Sequence, residues 1–486
     1  MMLPRFLASH RPVPALSLAG GCCLALMLIL GALPASAQQP GSGGGNTPAG
    51  GPTGQTRTIT VPPPAWQLPP IFGAPRQSRT VVPAANETRF VPDEILFELA
   101  PDAQAEAVLR RYGATLITSR RVELAGTTLI RARLEAGRDL RAVLTQMADD
   151  NAIAGAQPNF TYELQQELAR PVSTTASGGG RSDTPTLRLS DPAAARAAPA
   201  PRRELPPQYV IDKLRLGDVH KLARGSTIRV AVIDSGVDVS HPELRGAVAG
   251  LYDALGEEFV AHAHGTAMAA AIGAQGQLQG VAPGARLLVA RAFSGRANST
   301  SASGTSLQIM AAIEWAVNQG ARVINLSFAG PEDRLLSRGL AGVAAKGVIA
   351  VAAAGNGGPN AAPLFPGADP NVIAVTATDA DDRIFPRANR GAYIAVAAPG
   401  VDVLAAEPQG RYAFSSGTSI AAAHVSGLVA LVLEKRPDLD LAGVRRLLTQ
   451  SAIDLGSKGR DPVYGAGRID AAAALAQALP VTASRP

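Results

Sequence analysis

The chain has 486 residues, 46% of them hydrophobic and only 4% aromatic, with a formal net charge of +6. That is enough apolar material for one large core and a smaller one beside it. The basic excess is scattered, with no lysine or arginine run interleaved with aromatic residues, which argues against nucleic-acid binding.

Residues 1–37 read as a secretory signal. Arg5, His10 and Arg11 precede an apolar run from Cys22 to Leu33, and Ala35-Ser36-Ala37 is a small-residue cleavage site. The run is too short for a good membrane span and no later segment approaches one, so a secreted or periplasmic protein with no membrane partner is expected. Both cysteines lie inside the run, so removing the signal would leave neither disulfides nor thiolate metal sites. Residues 38–89 are rich in Gly, Pro, Ser and Thr. They cannot bury enough apolar surface to offset the entropy of ordering, and a disordered linker is expected.

The pattern changes at Phe90. Strands are expected over 94–99, 114–124, 127–134 and 154–164, with helices over 103–112 and 139–147. This β-α-β-β-α-β order, spanning 90–166, suggests a small ferredoxin-like α+β module. Its plainest reading is a binding domain. Residues 167–205 are again rich in Ala, Pro, Gly and Ser, as an exposed tether would be. From 206 to 480, strands at 229–234, 286–292, 322–327, 348–353, 372–377 and 393–398 alternate with helices at 305–318, 332–345, 441–449 and 469–479. Such alternation predicts a three-layer α/β domain with a mostly parallel sheet.

Four stretches of this region carry polar groups where strands end or helices begin. Arg229-Val230-Ala231-Val232-Ile233-Asp234-Ser235-Gly236 is a β-branched run that ends in an acid. His264, in Ala263-His264-Gly265-Thr266, opens a helix of small residues. Asn356 sits in a glycine-flanked loop after the apolar strand ending Ala352-Ala353-Ala354-Gly355. In Ser416-Gly417-Thr418-Ser419-Ile420-Ala421 the chain turns at Gly417 into an apolar helix, with Thr418 or Ser419 as its expected N-cap. A serine hydroxyl is a weak nucleophile unless a base and a group that orients the base are within reach. Open α/β sheets build their sites beyond the carboxyl ends of the strands, where all four stretches fall.

Val232-Ile233-Asp234-Ser235-Gly236-Val237-Asp238, His264-Gly265-Thr266 and Gly417-Thr418-Ser419-Ile420-Ala421, in that order, resemble the signatures of the subtilase family of subtilisin-like serine proteases. The resemblance implies that Ser419 attacks a peptide carbonyl, that His264 moves the proton and that Asp234 orients the imidazole. It also implies that Asn356 and the Ser419 N–H donate to the oxyanion. Ser327, Phe328, Ala329 and Gly330 would pair with extended substrate, and Ala352, Ala353, Ala354 and Gly355 would form the opposite wall of the first pocket. No acid stands there, so an apolar side chain before the cut bond is expected. The 90–166 module resembles an inhibitory propeptide whose last strand would lie in the cleft, and which could also assist the folding of a sheet rich in non-local contacts.

The partners so implied are polypeptide substrates and the chain's own propeptide, acting on a monomer. No cofactor or metal is expected. Calcium is common in the family, but no acidic loop has a known spacing. Ala329 stands where Gly is usual, Ala423 where Pro is common and Ala267 where a His often follows the catalytic one. His262 is a weaker candidate base than His264, His241 reads as a turn residue, His424 as packed, and Asp238 as a loop acid. Two other readings are a catalytically silent, protease-like binding protein, which would lack a triad member, and an esterase, whose G-x-S-x-G motif is absent.

Overall fold

The computed structural model describes residues 79–165, 170–171, 205–295 and 301–479; the expected signal, most of the 38–89 linker and nearly all of the 167–205 tether lie outside the described residues. An N-terminal module is built from β1 (Phe90–Leu99), α1 (Ala105–Arg111), β2 (Ala114–Val122), β3 (Thr127–Leu134), α2 (Leu140–Ala148) and β4 (Ile153–Gln165). Its strands lie in the order β2-β3-β1-β4 with antiparallel neighbours. Ile95, Phe97, Ile130 and Ala132 on one sheet face pack with Val108, Leu109, Val143, Leu144 and Met147 of the two helices. Asp139 starts α2 by accepting hydrogen bonds from the backbone N–H groups of Arg141 and Ala142.

The module begins earlier than the composition suggested. Val81 donates its N–H to the Ala156 carbonyl at 2.7 Å, and the Arg141 guanidinium donates to the Glu87 carbonyl at 2.6 Å. Residues 80–89, expected to be linker, are therefore tied down by tertiary hydrogen bonds that composition does not reveal.

Glu94 is the module's buried acid. Arg131 makes a two-pronged contact with it at 2.7 and 2.8 Å, Arg133 reaches it at 3.2 Å and the Asn159 amide donates at 2.9 Å. Burial opposes ionisation of Glu94, but these bonds outweigh it and hold the carboxyl below its ordinary range. A lowered folded-state value means that the stabilisation is complete above the ordinary carboxylate pKa and is lost as pH falls through the folded value. Glu94→Gln is accordingly expected to destabilise the module by about 2 kcal/mol at neutral pH. The deficit should vanish in acid, as followed by denaturant unfolding at several pH values; a deficit independent of pH would refute the assignment.

After the two-residue β5 (Arg170–Pro171), the larger region runs through α3 (Tyr209–Lys213), α4 (Leu216–Leu222), β6 (Arg229–Asp234), β7 (Val248–Asp253), α5 (Ala263–Gly273), β8 (Arg286–Arg291), β9 (Ser301–Thr305) and α6 (Ser306–Asn318). It continues with β10 (Val323–Leu326), α7 (Arg334–Ala345), β11 (Ile349–Ala353), β12 (Val372–Thr378), β13 (Val396–Pro399), the hairpin β14 (Val403–Glu407) and β15 (Arg411–Ser415), α8 (Thr418–Lys435), α9 (Leu441–Ser451) and α10 (Ala471–Ala478). Seven strands form one sheet in the order β13-β12-β11-β10-β6-β8-β7, and every neighbouring pair is parallel.

The sheet is apolar on both faces because helices cover both. Along β6, Val230 and Val232 enter the core shared with α5, α8 and α10, whereas Ala231 and Ile233 enter the core shared with α6 and α7. The three-layer α/β arrangement expected from the alternation is the one that forms. The strand expected over 393–398 is shifted to Val396–Pro399, because Gly391–Ile394 is taken up by a turn closed by the Ile394 N–H on the Gly391 carbonyl. Contrary to the expectation that no later segment approaches a membrane span, helix α8 has the length and apolarity of one, but 89% of it is buried inside the fold, as in a central core helix.

The module docks on α6 and α7. The Gln157 side chain accepts from the Leu335 N–H at 3.0 Å and donates to the Asp333 carboxylate at 2.8 Å, joining the N-terminus of α7. Ion pairs join Arg120 to Glu314 and Glu98 to Arg338. Strand β9 of the larger region adds to the β4 edge, so one sheet crosses from the module into the larger region.

Candidate active site

The four polar stretches lie where β6 and β11 end and where α5 and α8 begin. Asp234 ends β6, fully buried. One carboxylate oxygen accepts from the Ser235 N–H at 2.7 Å, the Ser235 hydroxyl at 3.1 Å and His264 Nδ1 at 2.8 Å. An ionised carboxylate can only accept, so Nδ1 carries the imidazole proton. In the neutral ring Nε2 is then the acceptor, and it is buried without a hydrogen-bond partner. His264 is fixed at this point because α5 begins one residue before it and Gly265 donates its N–H to the Ser235 hydroxyl at 3.1 Å.

Ser419 lies in the first turn of α8, which packs against α5. The N-cap is Gly417, not Thr418 or Ser419 as the local pattern suggested. Gly417 has φ 148°, which favours glycine, and the Thr418 hydroxyl is drawn away to donate to Asn356 Oδ1 at 2.8 Å. The Ser419 hydroxyl donates to the Ser327 carbonyl at 3.2 Å rather than to His264. Ser327 returns a bond from its own hydroxyl to the Ser419 carbonyl at 2.8 Å, and Asn325 donates to that hydroxyl at 2.8 Å. Ser426, further along α8, donates to Asn325 at 3.0 Å. This buried polar chain ties the first turns of α8 to the end of β10. Its sequence signal was the lone Asn325 inside the apolar strand Val323–Leu326, a buried polar group that needs partners.

Asn356 Oδ1 accepts from both the backbone N–H and the hydroxyl of Thr418, at 3.0 and 2.8 Å. Because an N–H can only donate, the oxygen must face Thr418 and the amide nitrogen must point the other way, against Gly417. An amide donor and the first turn of a helix thus flank one serine, an arrangement suited to stabilising developing negative charge.

Of the residues expected along the substrate edge, Ser327, Phe328 and Gly330 are buried and Ala329 is half-buried. Ala329 exchanges both backbone hydrogen bonds with Glu163 of β4, at 3.1 and 3.3 Å. On the opposite side Ala352, Ala353, Ala354 and Gly355 are all buried. Ala352 belongs to the core on one sheet face and Ala353 to the core on the other, while Gly355 receives its position from the Thr418 hydroxyl at 3.2 Å.

The remaining candidates are structural. His262 caps α5, its ring accepting from the His264 N–H at 3.3 Å and meeting the Ser235 hydroxyl at 3.1 Å. His241 caps the turn Pro242–Leu244. Burial pushes His424 down to about 4, so it stays neutral beside the Pro399 carbonyl. Asp238 holds Ser240 and the Gln409 N–H; burial opposes its ionisation, but these bonds outweigh it and lower its pKa. Among the described residues no group of three or more His, Cys, Asp or Glu converges as a metal site would require. The buried Glu243 carboxylate has its lone pairs occupied by the N–H groups of Gly276, Gln277 and Leu278 at 2.9–3.0 Å and the Tyr412 hydroxyl at 2.7 Å.

Sequence and fold are both similar to those of known proteins. Residues 225–467 match the model of the subtilase family, and residues 76–159 match that of the fervidolysin N-terminal prodomain. Subtilisin DY of Bacillus licheniformis is 35% identical over 260 residues, 52% of this chain and 92% of that protein. The thermophilic serine proteinase of Bacillus sp. strain AK1 is 37% identical over 257 residues, 51% of this chain and 61% of that protein. Among solved structures, fervidolysin from Fervidobacterium pennivorans, described as a keratinolytic enzyme related to subtilisin, superposes with a TM-score of 0.66 at 23% identity. That match covers 83% of this chain and 64% of fervidolysin and supports the fold. The chain belongs to the subtilase family of serine endopeptidases and carries a prodomain ahead of its protease domain.

Proposed function

We propose that this protein is an exported serine endopeptidase, made as a self-inhibited precursor, in which Asp234, His264 and Ser419 form the catalytic triad. The observation that carries the reading is the His264 ring, held by Asp234 through Nδ1 with Nε2 left as an unpartnered acceptor beside the helix that bears Ser419. A turn of the Ser419 hydroxyl from the Ser327 carbonyl toward Nε2 would let His264 take its proton as the oxygen attacks the substrate carbonyl. Hydrogen bonds of this kind commonly tighten only when substrate is bound. His264 would then pass the proton to the leaving amine, leaving an acyl-enzyme for water to hydrolyse. Asn356 Nδ2 and the Ser419 N–H would hold the oxyanion.

Self-inhibition rests on β4, which lies between β9 and Ala329 as an extended peptide added to both edges. Export rests on the 1–37 segment, with the mature enzyme acting on polypeptides in the periplasm or outside the cell. A fluorophosphonate, which phosphonylates activated serines irreversibly, is expected to label the processed enzyme once, on Ser419. Mass mapping of the labelled peptide checks this, and an unlabelled Ser419 in an enzyme that still hydrolyses peptides would overturn the mechanism.

A further inference from the structure

His262 does more than cap α5, because the nitrogen that caps the helix also meets the hydroxyl beside the Asp234 carboxylate. Asp234 and His264 stand 30 residues apart and are joined where the turn after β6 touches the start of α5. Two glycines permit that touch. A β-carbon on Gly236 would collide with the Val260 carbonyl oxygen, and one on Gly265 would lie 2.6 Å from the Ser235 carbonyl oxygen. Within the contact His262 donates its N–H to the Gly236 carbonyl at 2.8 Å, and Gly265 donates to the Ser235 hydroxyl at 3.1 Å. Ser235 and His262 are both buried.

What each group can donate fixes the protons. The His264 backbone N–H can only donate, at 3.3 Å, so His262 Nδ1 is an acceptor and carries no proton. The Ser235 hydroxyl has one proton to give and two acceptors, His262 Nδ1 and Asp234 Oδ1, both at 3.1 Å. Asp234 Oδ1 already accepts the Ser235 N–H at 2.7 Å and the imidazole proton at 2.8 Å. A third donor neutralises more of the carboxylate's charge and weakens its hold on an imidazolium, whereas a hydroxyl turned toward His262 leaves that charge to His264. The other titratable groups near the triad end of the elements packed on α5 are engaged elsewhere. Arg291 pairs with Glu257, Glu407 with Arg411, and Asp238 bonds to Ser240. His424 meets the Pro399 carbonyl, His241 the Arg411 carbonyl, and Glu243 the Leu278 N–H.

We infer that His262 and Ser235 act together as positioning residues of the triad: His262 fixes His264 through its N–H and draws the Ser235 proton from Asp234, so that the carboxylate's charge is kept for the imidazole. The inference rests on the serine-peptidase reading above. The two side chains therefore pull in opposite directions. Without the His262 ring the hydroxyl has only Asp234 to bond, and the imidazole gives up its proton at lower pH. Without the Ser235 hydroxyl the carboxylate has one donor fewer, and the imidazole holds its proton to higher pH. Because His262 acts on Asp234 only through Ser235, removing both should resemble removing Ser235 alone.

The test is the pH dependence of kcat/KM for the processed enzyme and its variants on a fluorogenic peptide. Active enzyme is counted by fluorophosphonate labelling, so that unfolded chains do not enter the rates. His262→Ala is expected to move the acid limb down by about half a pH unit and to lower kcat on the order of tenfold at unchanged KM. Ser235→Ala is expected to move the limb up by about the same amount, and the double variant to match Ser235→Ala. His262→Asn, which sets an acceptor oxygen near the place of Nδ1, should restore the parental limb and most of the lost kcat, and so separates the hydrogen bonds from a packing defect. Limbs that stay in place or move the same way in both single variants, a double variant shifted like His262→Ala, or an asparagine variant no better than alanine overturns the inference and leaves the peptidase reading standing. A parent chain that neither labels nor hydrolyses peptides overturns both.

Discussion

Ser419→Ala is expected to lower peptide hydrolysis by about a millionfold, the scale of loss found when a subtilisin nucleophile is removed, and to leave a precursor that never shortens. The fold should survive. The side-chain bond lost is the one from the Ser419 hydroxyl to the Ser327 carbonyl, and a neutral hydrogen bond contributes about 1 kcal/mol. The bond that anchors the start of α8 to β10 uses the backbone carbonyl of residue 419 and is kept. His264→Ala should cost nearly as much as Ser419→Ala, and the double variant scarcely more than either. A base without a nucleophile, or a nucleophile without a base, does almost none of the work of the pair. Turnover of a fluorogenic peptide, corrected for contaminating protease by active-site titration, measures the losses. Additive losses in the double variant, or processing that persists without Ser419, would exclude the triad.

What could be read from residues alone followed a physical division. Central parallel strands are buried on both faces, so runs such as Val230-Ala231-Val232-Ile233 announce themselves by composition, and an acid at the end of such a run stands out. Helices with local caps were equally legible: Asp139, Asp333, Asp440 and Asp470 each accept from N–H groups of the first turn they precede. Elements made by a distant partner were not. Ser301–Thr305 has no apolar signature and is a strand because β4 lies beside it. Residues 80–89 look like linker until Ala156 is brought alongside. The same holds at the nucleophile, where Thr418 is a good local N-cap by type but bonds to Asn356, 62 residues away, leaving the cap to Gly417.

That long-range bond sets the terms of the second large effect. Asn356→Ala is expected to reduce kcat by about a hundred- to a thousandfold while KM changes little, the pattern of a donor that acts mainly in the transition state. The substitution also removes the acceptor for the Thr418 N–H and hydroxyl, at a cost in stability of about 1 kcal/mol. A loosened helix start alone would also slow the enzyme, so alanine does not separate the two roles. Asn356→Asp does. It keeps an oxygen facing Thr418, and with it the stability, but replaces the outward amide donor with an oxygen that repels the developing oxyanion. If Asn356 stabilises charge, the aspartate variant should melt like the parent in a Ser419→Ala background. In the active enzyme its kcat should be at least as low as that of the alanine variant. If its role is only to position α8, the aspartate variant should instead recover most of the parental kcat, and steady-state kinetics of the pair decides between them.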